Sequence, residues 1–358
     1  MTRTTKILGA ASAAVAVLCA VLLFLPAITD NGSAKDEPVY EVCEAKATPI
    51  PTPEPTPEPY IPGIELDDEY NFTLYDKTFN FYDEKLDLNH IKIRDNGELV
   101  RTVISCMPNI KYLDMDFCGV DDEHMAKIRE DFPEIEVVWR IWFGGQYTVR
   151  TDCEKILASA PVLFGNILET NSKSLKYCTK IKYMDLGHNP EIGDISFIEY
   201  MPDLEVLIIA MDDVTDEMLK SVAYCKHLEF LEIQTNHITD LSPLSELHEL
   251  KHLNIAYNFS LEDISPIYGL TGLKRLWIGS TCPVPEEQVE EMYERARKAG
   301  NNDLVINNTV YDPHDGWRWG NERYELLKKQ LGYEEGDYQV KETDPKYLPE
   351  GKTWFDYY

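Results

Sequence analysis

An apolar frame that recurs at a nearly fixed interval constrains this chain more than any other feature. The frame is Leu-x-x-Leu-x-Leu, with isoleucine or methionine at some positions, and it starts at Ile181, Leu204, Leu228, Leu250 and Leu273. The starts lie 22 to 24 residues apart, which indicates a solenoid of stacked repeats in which each unit packs on its neighbours. The same position of several repeats holds an asparagine, at Asn189, Asn236 and Asn258. Such side chains can satisfy the backbone groups of adjacent turns.

The frame continues upstream in a less regular form. Ile110, Leu113 and Met115 follow it, with Cys118 at the asparagine position. Residues 107–115 and 178–186 resemble each other in order, which indicates a duplicated module of about three units. Leu86 and Ile156 belong to further degenerate units, and residues 135–145 are predicted to form a strand that ends in a Gly-Gly turn.

The segments between the predicted strands change character along the chain. Residues 121–130 and 215–223 have acidic first turns and helical apolar spacing, so they are predicted to be short helices. Two later repeats carry Ser-Pro at the same point, at 242–243 and 265–266, which favours 3₁₀ turns. We therefore predict an α/β fold, a leucine-rich repeat solenoid with a curved parallel β-sheet and a mixed α-helical and 3₁₀ convex side.

The N-terminus predicts export. Residues 1–6 form a basic n-region and residues 7–28 contain no charged side chain. This run is long enough for a single transmembrane anchor, and cleavage as a signal segment near Ala34 is the alternative. Residues 29–62 are rich in proline and are predicted to form an extended linker.

The domain boundaries follow from where the frame is regular. We assign residues 63–282 to the repeat domain, irregular over 63–180 and regular over 181–282. Residues 283–358 are assigned to a C-terminal cap and tail, and this region is predicted to contain a charged helix at 285–298, a strand at 304–310 and a helix at 322–331.

Charge and motif content exclude several functions. A formal net charge of −29 argues against a nucleic-acid partner, because a phosphate backbone requires a basic surface. The eight cysteines form no Cys-x-x-Cys pair and are interpreted as packing residues. His248, Glu249 and His252 match the letters of the H-E-x-x-H zinc motif, but that motif needs one helix face, and the frame makes His252 part of a strand. We therefore predict no metal site, no cofactor and no catalytic residue.

The pattern Ile-Thr-Asp-Leu-Ser-Pro-Leu from Ile238 onward, followed by the frame as far as Ile255, resembles the internalin-type leucine-rich repeats of bacterial surface proteins. The wider chain is similar to exported leucine-rich repeat proteins of Firmicutes, which place a membrane anchor and a spacer before the repeats. This resemblance covers residues 83–282. It implies a binding role at the cell surface.

Alternation along each strand predicts which side chains line the concave face of the sheet. The residues between the core leucines form an aromatic column beside carboxylates, and aromatic and charged groups that are exposed together suit recognition of a peptide or glycan. We call the following residues the concave strip and predict that they bind the ligand: Tyr112, Asp114, Tyr183, Asp185, Phe230, Glu232, His252, Arg275 and Trp277.

Three functional hypotheses follow. The first is a non-enzymatic protein that binds a protein or peptide outside the bacterial cell, anchored by a single pass through the membrane at residues 7–28. The second is a protein that binds cell-wall glycan through Trp317 and Trp319. The third is a hydrolase that uses Asp312, His314 and Asp315, and no residue spacing supports it.

Overall fold

The computed structural model describes residues 58–144, 147–158 and 167–307, together with Leu326, Leu327, Lys329 and Leu331. The segments 1–6 and 7–28 and the linker up to residue 57 lie outside this part. Within it, every helix is too short or too polar to cross a membrane. The anchor at residues 7–28 therefore stays a prediction.

The N-terminal part of the described chain contains two small sheets. An antiparallel pair, β1 and β2, precedes a parallel sheet in the order β3-β4-β5. The bounds of these strands are Asn71–Leu74 (β1), Lys77–Asn80 (β2), Lys85–Asp87 (β3), Tyr112–Asp114 (β4) and Glu136–Val138 (β5).

A hairpin and a larger parallel sheet follow. Strands β6 (Arg140–Phe143) and β7 (Tyr147–Arg150) pair antiparallel. The seven strands after them are parallel neighbours in chain order. They are β8 (Lys155–Leu157), β9 (Tyr183–Asp185), β10 (Val206–Ile208), β11 (Phe230–Glu232), β12 (His252–Asn254), β13 (Arg275–Trp277) and β14 (Val305–Asn307).

Short helices connect these strands. The α-helices are α1 (Glu98–Cys106), α2 (Asp122–Asp131), α3 (Asp216–Leu219) and α4 (Glu286–Lys298). The 3₁₀ helices are Lys173–Tyr177, Ser196–Tyr200, Lys220–Tyr224, Ser242–Leu244 and Ser265–Ile267. The mixed convex side is therefore confirmed, and both Ser-Pro pairs begin a 3₁₀ turn as predicted. Helix α2 starts where Asp121 accepts hydrogen bonds from the backbone N–H groups of Glu123 and His124, which satisfies two of the donors at its N-terminus.

The strand register confirms the apolar frame. The central leucines Leu207, Leu231, Leu253 and Leu276 are Cα partners across four adjacent strands, and each is 0% exposed. Because side chains alternate on a strand, the residues on either side of each leucine point to the opposite, concave face. A one-residue slip would exchange the two faces, so burial of this leucine column fixes which residues line the concave side.

The asparagine positions form a ladder inside the turns. Asn236 Nδ2 donates to the carbonyl oxygens of Ile209 at 2.8 Å and Ile233 at 3.0 Å, and Asn258 Nδ2 donates to Ile233 and Ile255 in the same way. Cys118 takes this place upstream, with Sγ 3.0 Å from the carbonyl oxygen of Leu88. The structural role predicted for these positions is confirmed.

Some features differ from the sequence prediction. The strand predicted at 135–145 is divided into β5 and β6, and the β6–β7 hairpin separates the two parallel sheets. Helix α1 was not predicted, although its apolar residues Val100, Val103 and Ile104 are buried. The repeat sheet also extends past residue 282, because β14 pairs with β13 after helix α4.

The zinc motif has no helical geometry. His252 opens strand β12, whereas His248 lies in the preceding turn. His248 Nε2 lies 3.4 Å from a carboxylate oxygen of Glu246, and Glu249 pairs with His227. The three motif residues therefore follow a turn and a strand instead of one helix face.

Candidate functional site

The N-terminal part of the concave strip is engaged by the β6–β7 hairpin. Arg150 Nη1 lies 3.0 Å from Asp114 Oδ2, and its Nη2 donates to the hydroxyl oxygen of Tyr112 at 3.0 Å. Arg150 also binds both carboxylate oxygens of Asp152 at 3.0 Å. Tyr112 and Asp114, which were predicted to contact a ligand, are therefore held by an arginine of the same chain.

A second arginine completes this network. Arg140 forms a two-pronged ion pair with Asp116, through Nε at 2.8 Å and Nη2 at 3.0 Å. Its guanidinium also lies 4.6 Å from the ring centroid of Phe117 and donates to Thr148. Such paired, charge-assisted hydrogen bonds fix geometry strongly. We call Asp114, Asp116, Arg140 and Arg150 the hairpin network.

The ionisation states follow from these contacts. Burial alone would lower the pKa of Arg150, but the carboxylates of Asp152 and Asp114 more than offset it, so its pKa lies above the ordinary range. Burial and the neighbouring Asp114 carboxylate raise the pKa of Tyr112. At neutral pH Tyr112 is therefore a neutral hydroxyl and Arg150 a cation.

The C-terminal part of the strip has a different composition. Strands β10 to β13 present apolar side chains on the concave side, where they form a cluster separate from the main core. We call this cluster the concave patch, and it consists of Val206, Ile208, Ala210, Phe230, Ala256 and Trp277. Phe230 is 0% exposed and Trp277 is 6% exposed, so this face is covered.

Two leucines from the C-terminal region belong to the same cluster. Leu327 and Leu331 are helical and fully buried, and they group with the concave patch and not with the main core. The helical neighbours Leu326 and Lys329 are exposed. One side of this helical segment therefore packs on the repeat sheet while the other faces solvent.

Polar residues surround the concave patch. Asp185 and Glu232 are buried, and each interacts with another residue of the chain. The His252 ring lies 5.9 Å from that of Phe230, and the Arg275 guanidinium lies 5.7 Å from the Trp277 ring centroid. An apolar centre with charged and amphipathic side chains around it can bind a polypeptide segment through packing and polar contacts.

The structure divides the predicted strip between two sheets. Tyr112 and Asp114 lie on β4, and the strands β9 to β13 carry the other seven residues, Tyr183, Asp185, Phe230, Glu232, His252, Arg275 and Trp277. The expectation that these side chains are open to solvent is wrong, since Phe230 and Glu232 are fully buried and Tyr183, His252 and Arg275 are half-buried. Their role in ligand binding stays a prediction.

Sequence reasoning missed the residues that cover the strip. Arg140 and Arg150 are Cα partners at the open end of the hairpin. Leu327 and Leu331 are spaced one helical turn apart in the helix predicted at 322–331. That spacing is the available signal, because residues four apart lie on one helix face.

Other candidate chemistry finds little support in the described part of the chain. No group of three or more His, Cys, Asp or Glu side chains there is arranged to hold a metal ion. Burial raises the pKa of the Cys225 thiol to about 12, so Cys225 is a packing residue and a poor nucleophile at neutral pH. Trp317, Trp319, Asp312, His314 and Asp315 lie outside the described residues.

Comparison with known proteins agrees with the repeat frame. Residues 226–269 match the family described as "Leucine Rich repeats (2 copies)". No curated protein matches the chain.

Several solved structures resemble this one. An internalin (inlF) from Listeria monocytogenes is 19% identical, with a TM-score of 0.33, and the match covers 64% of this chain and 48% of that one. Internalin C2 from the same organism is 17% identical, with a TM-score of 0.29 and coverage of 63% and 80%. The Arabidopsis receptor kinase HAESA, solved with the peptide hormone IDA and the co-receptor SERK1, is 14% identical, with a TM-score of 0.32 and coverage of 69% and 36%. This chain thus spans about half the length of the inlF chain. The chain contains leucine-rich repeats, and Listeria internalins are among its structural neighbours.

Proposed function

We propose that the repeat domain is a non-enzymatic module that binds a protein or peptide segment on the concave face of strands β9 to β13. The observation that carries this proposal is the concave patch. Its apolar side chains lie on the face of the sheet opposite the leucine column and form a cluster of their own. A large apolar surface outside the core of a repeat is typical of an interaction site.

The surroundings of the concave patch favour a polypeptide over a small molecule. The patch extends across the neighbouring strands β10 to β13, so it forms a continuous surface and not a closed cavity. Half-buried Tyr183, His252 and Arg275 flank it, and amphipathic side chains of this kind are enriched where proteins meet.

The proposal also includes the cellular location of the repeat domain. We propose that residues 7–28 anchor the chain in a bacterial membrane and that the linker up to residue 57 holds the repeats away from the lipid on the outer side. The predicted linker ends earlier than residue 62, because Ile61 is 0% exposed and belongs to the core of the repeat domain. The uncharged run and the proline-rich spacer support this arrangement. Protease added outside intact cells should then digest the repeat domain, and its full protection would contradict an extracellular location.

Site-specific photo-crosslinking tests the binding function. A photoreactive phenylalanine at position 183, beside the concave patch, should give an adduct with a second protein in cells. The matched control places the same residue at Tyr200, an aromatic side chain that is 56% exposed at the end of an outer 3₁₀ helix. The test uses the wild-type chain and a chain that also carries Leu327→Glu and Leu331→Glu. If position 183 gives no adduct beyond those of position 200 in either background, the proposal is wrong.

A further inference from the structure

The concave patch is covered by the chain itself. Val206 and Phe230 are Cα partners on adjacent strands, and both are 0% exposed although they lie outside the main core. The described residues that join them in one cluster from outside the repeats are Leu327 and Leu331. The chain thus supplies an occupant for the surface that the proposed function assigns to a partner.

The occupant has the form of an amphipathic helix. Leu327 and Leu331 are helical and four residues apart, so both side chains project from one face. Both are 0% exposed, whereas Leu326 on another side of the segment is 47% exposed. A helix that buries leucines at positions i and i+4 in an apolar groove is a recurring mode of polypeptide recognition.

We infer that the concave patch is a receptor surface for an amphipathic helix with leucines at positions i and i+4, and that Leu327 and Leu331 of this chain occupy it as an intramolecular ligand. This inference rests on the proposed function for its surface and adds the class of partner. A partner helix of the same chemistry competes with the tethered segment.

The tether determines how strong that competition must be. The helical segment belongs to the same chain as the sheet, so it meets the patch at a high effective concentration without any loss of translational freedom. An external helix is therefore bound weakly until the internal segment is displaced, since ligands that share one surface exclude each other. The C-terminal region thereby sets the threshold for binding at the concave patch.

Thiol labelling of the full chain tests this inference. Ala256 lies in the concave patch and is 0% exposed, so Ala256→Cys reports whether the patch is covered. In the chain with Leu327→Glu and Leu331→Glu, maleimide should modify position 256 at least about tenfold faster, because the rate follows the open fraction. The matched control, Leu326→Glu with Lys329→Gln, makes the same change in charge on exposed side chains and should leave the rate unchanged.

Two further measurements distinguish opening of the patch from other causes of faster labelling. Cys225 is buried in the main core, and mass spectrometry should find it unlabelled in every variant, which separates opening of the patch from unfolding. A synthetic peptide of residues 320–334 should restore slow labelling of the opened variant, whereas the same peptide with both leucines changed to glutamate should not.

Different results separate the two proposals. Unchanged labelling in the opened variant, or a peptide without effect on it, would overturn the intramolecular ligand. If the peptide protects position 256 but position 183 crosslinks to no second protein, helix recognition stands and the external partner does not.

Discussion

The two parallel sheets of this molecule are covered on their concave faces in different ways. At the end of β4, Asp114 and the nearby Asp116 are paired with Arg140 and Arg150 of the adjoining hairpin. On β10 to β13, the cover consists of apolar contacts with Leu327 and Leu331. A buried ion pair with several hydrogen bonds is costly to break, because each partner left alone is a desolvated charge. Contacts of two leucines separate without leaving an unpaired polar group.

The positions of the covering residues in the sequence also differ between the two sheets. Arg140 is the first residue of strand β6, two residues after the end of β5, and its partner Asp116 is 24 residues away. The hairpin is therefore built into the repeat domain. Leu327 and Leu331 come from beyond the last repeat strand, β14. We infer that the N-terminal concave face is closed as part of the fold, while the C-terminal face is closed by a separable segment.

The largest loss of stability is expected from a substitution that breaks the hairpin network. Asp116 is 3% exposed and receives both Arg140 and Arg150, so Asp116→Ala should leave two guanidinium groups without this partner and destabilise the fold by about 3–5 kcal/mol. Urea unfolding followed by circular dichroism measures this change.

The matched control is an exposed ion pair between residues that directly precede β3 and β4 of the same sheet. Glu84 and Lys111 pair at 2.6 Å with both side chains largely in solvent, and Glu84→Ala should produce no measurable change because solvent screens such pairs. Equal effects of the two substitutions would show that the hairpin network does not fix the N-terminal face.

An intermediate change in stability is expected from the asparagine ladder in the turns that follow the strands of the seven-stranded sheet. Asp212 stands at the asparagine position of the repeat that starts at Leu204, and it accepts a hydrogen bond from the backbone N–H of Asn189. Its second oxygen, Oδ2, is buried without a hydrogen-bond partner. Burial raises the pKa of Asp212 well above its usual value.

The sign of the pH dependence follows from that direction. The folded state favours the neutral carboxyl, so the contribution to stability is full below the unfolded pKa of about 3.9 and is lost as pH rises through the folded pKa. Asp212→Asn removes the ionisable group and restores two amide donors, which should stabilise the fold by about 1–3 kcal/mol at pH 8. The difference between the two proteins, measured by urea unfolding from pH 4 to pH 8, should grow with pH. A constant difference would contradict a buried neutral Asp212.

The smallest expected effect concerns the apolar cover. Leu327→Ala combined with Leu331→Ala should lower the free energy of global unfolding by only about 1–2 kcal/mol, because the loss cannot exceed the free energy with which the segment docks on the sheet. A loss near 4 kcal/mol in urea unfolding would mean that both leucines belong to the core of the repeat domain. The concave faces would then be closed in the same way.

The repeat frame allowed much of the fold to be predicted. Each central strand position, such as Leu231 or Leu253, must be apolar because it is buried. Such positions therefore recur at a regular interval in the sequence and can be recognised there. Asn236 and Asn258 followed from the same period, since their amides serve the turns at each step. The first residue of strand β12, His252, was placed correctly enough to reject the zinc motif.

The coverage of the concave face could not be predicted in this way. The contact of Arg150 with Asp114 joins residues 36 positions apart through an inserted hairpin, and an insertion has no period. Leu327 and Leu331 follow helical spacing, which predicts an apolar face but does not identify the surface that this face meets. Exposure of Phe230 was therefore inferred from strand alternation alone, and the structure shows it buried.

Hydrogen exchange of the unmodified chain tests the central difference between the two covers most directly. Amides of residues 326–331 should exchange through local opening, at rates that barely depend on low concentrations of denaturant. Amides of β6 and β7 should exchange only with global unfolding, and their rates should rise steeply with denaturant. If both segments exchange at the same rate and with the same dependence on denaturant, the C-terminal cover is part of the cooperative fold and the separable segment does not exist.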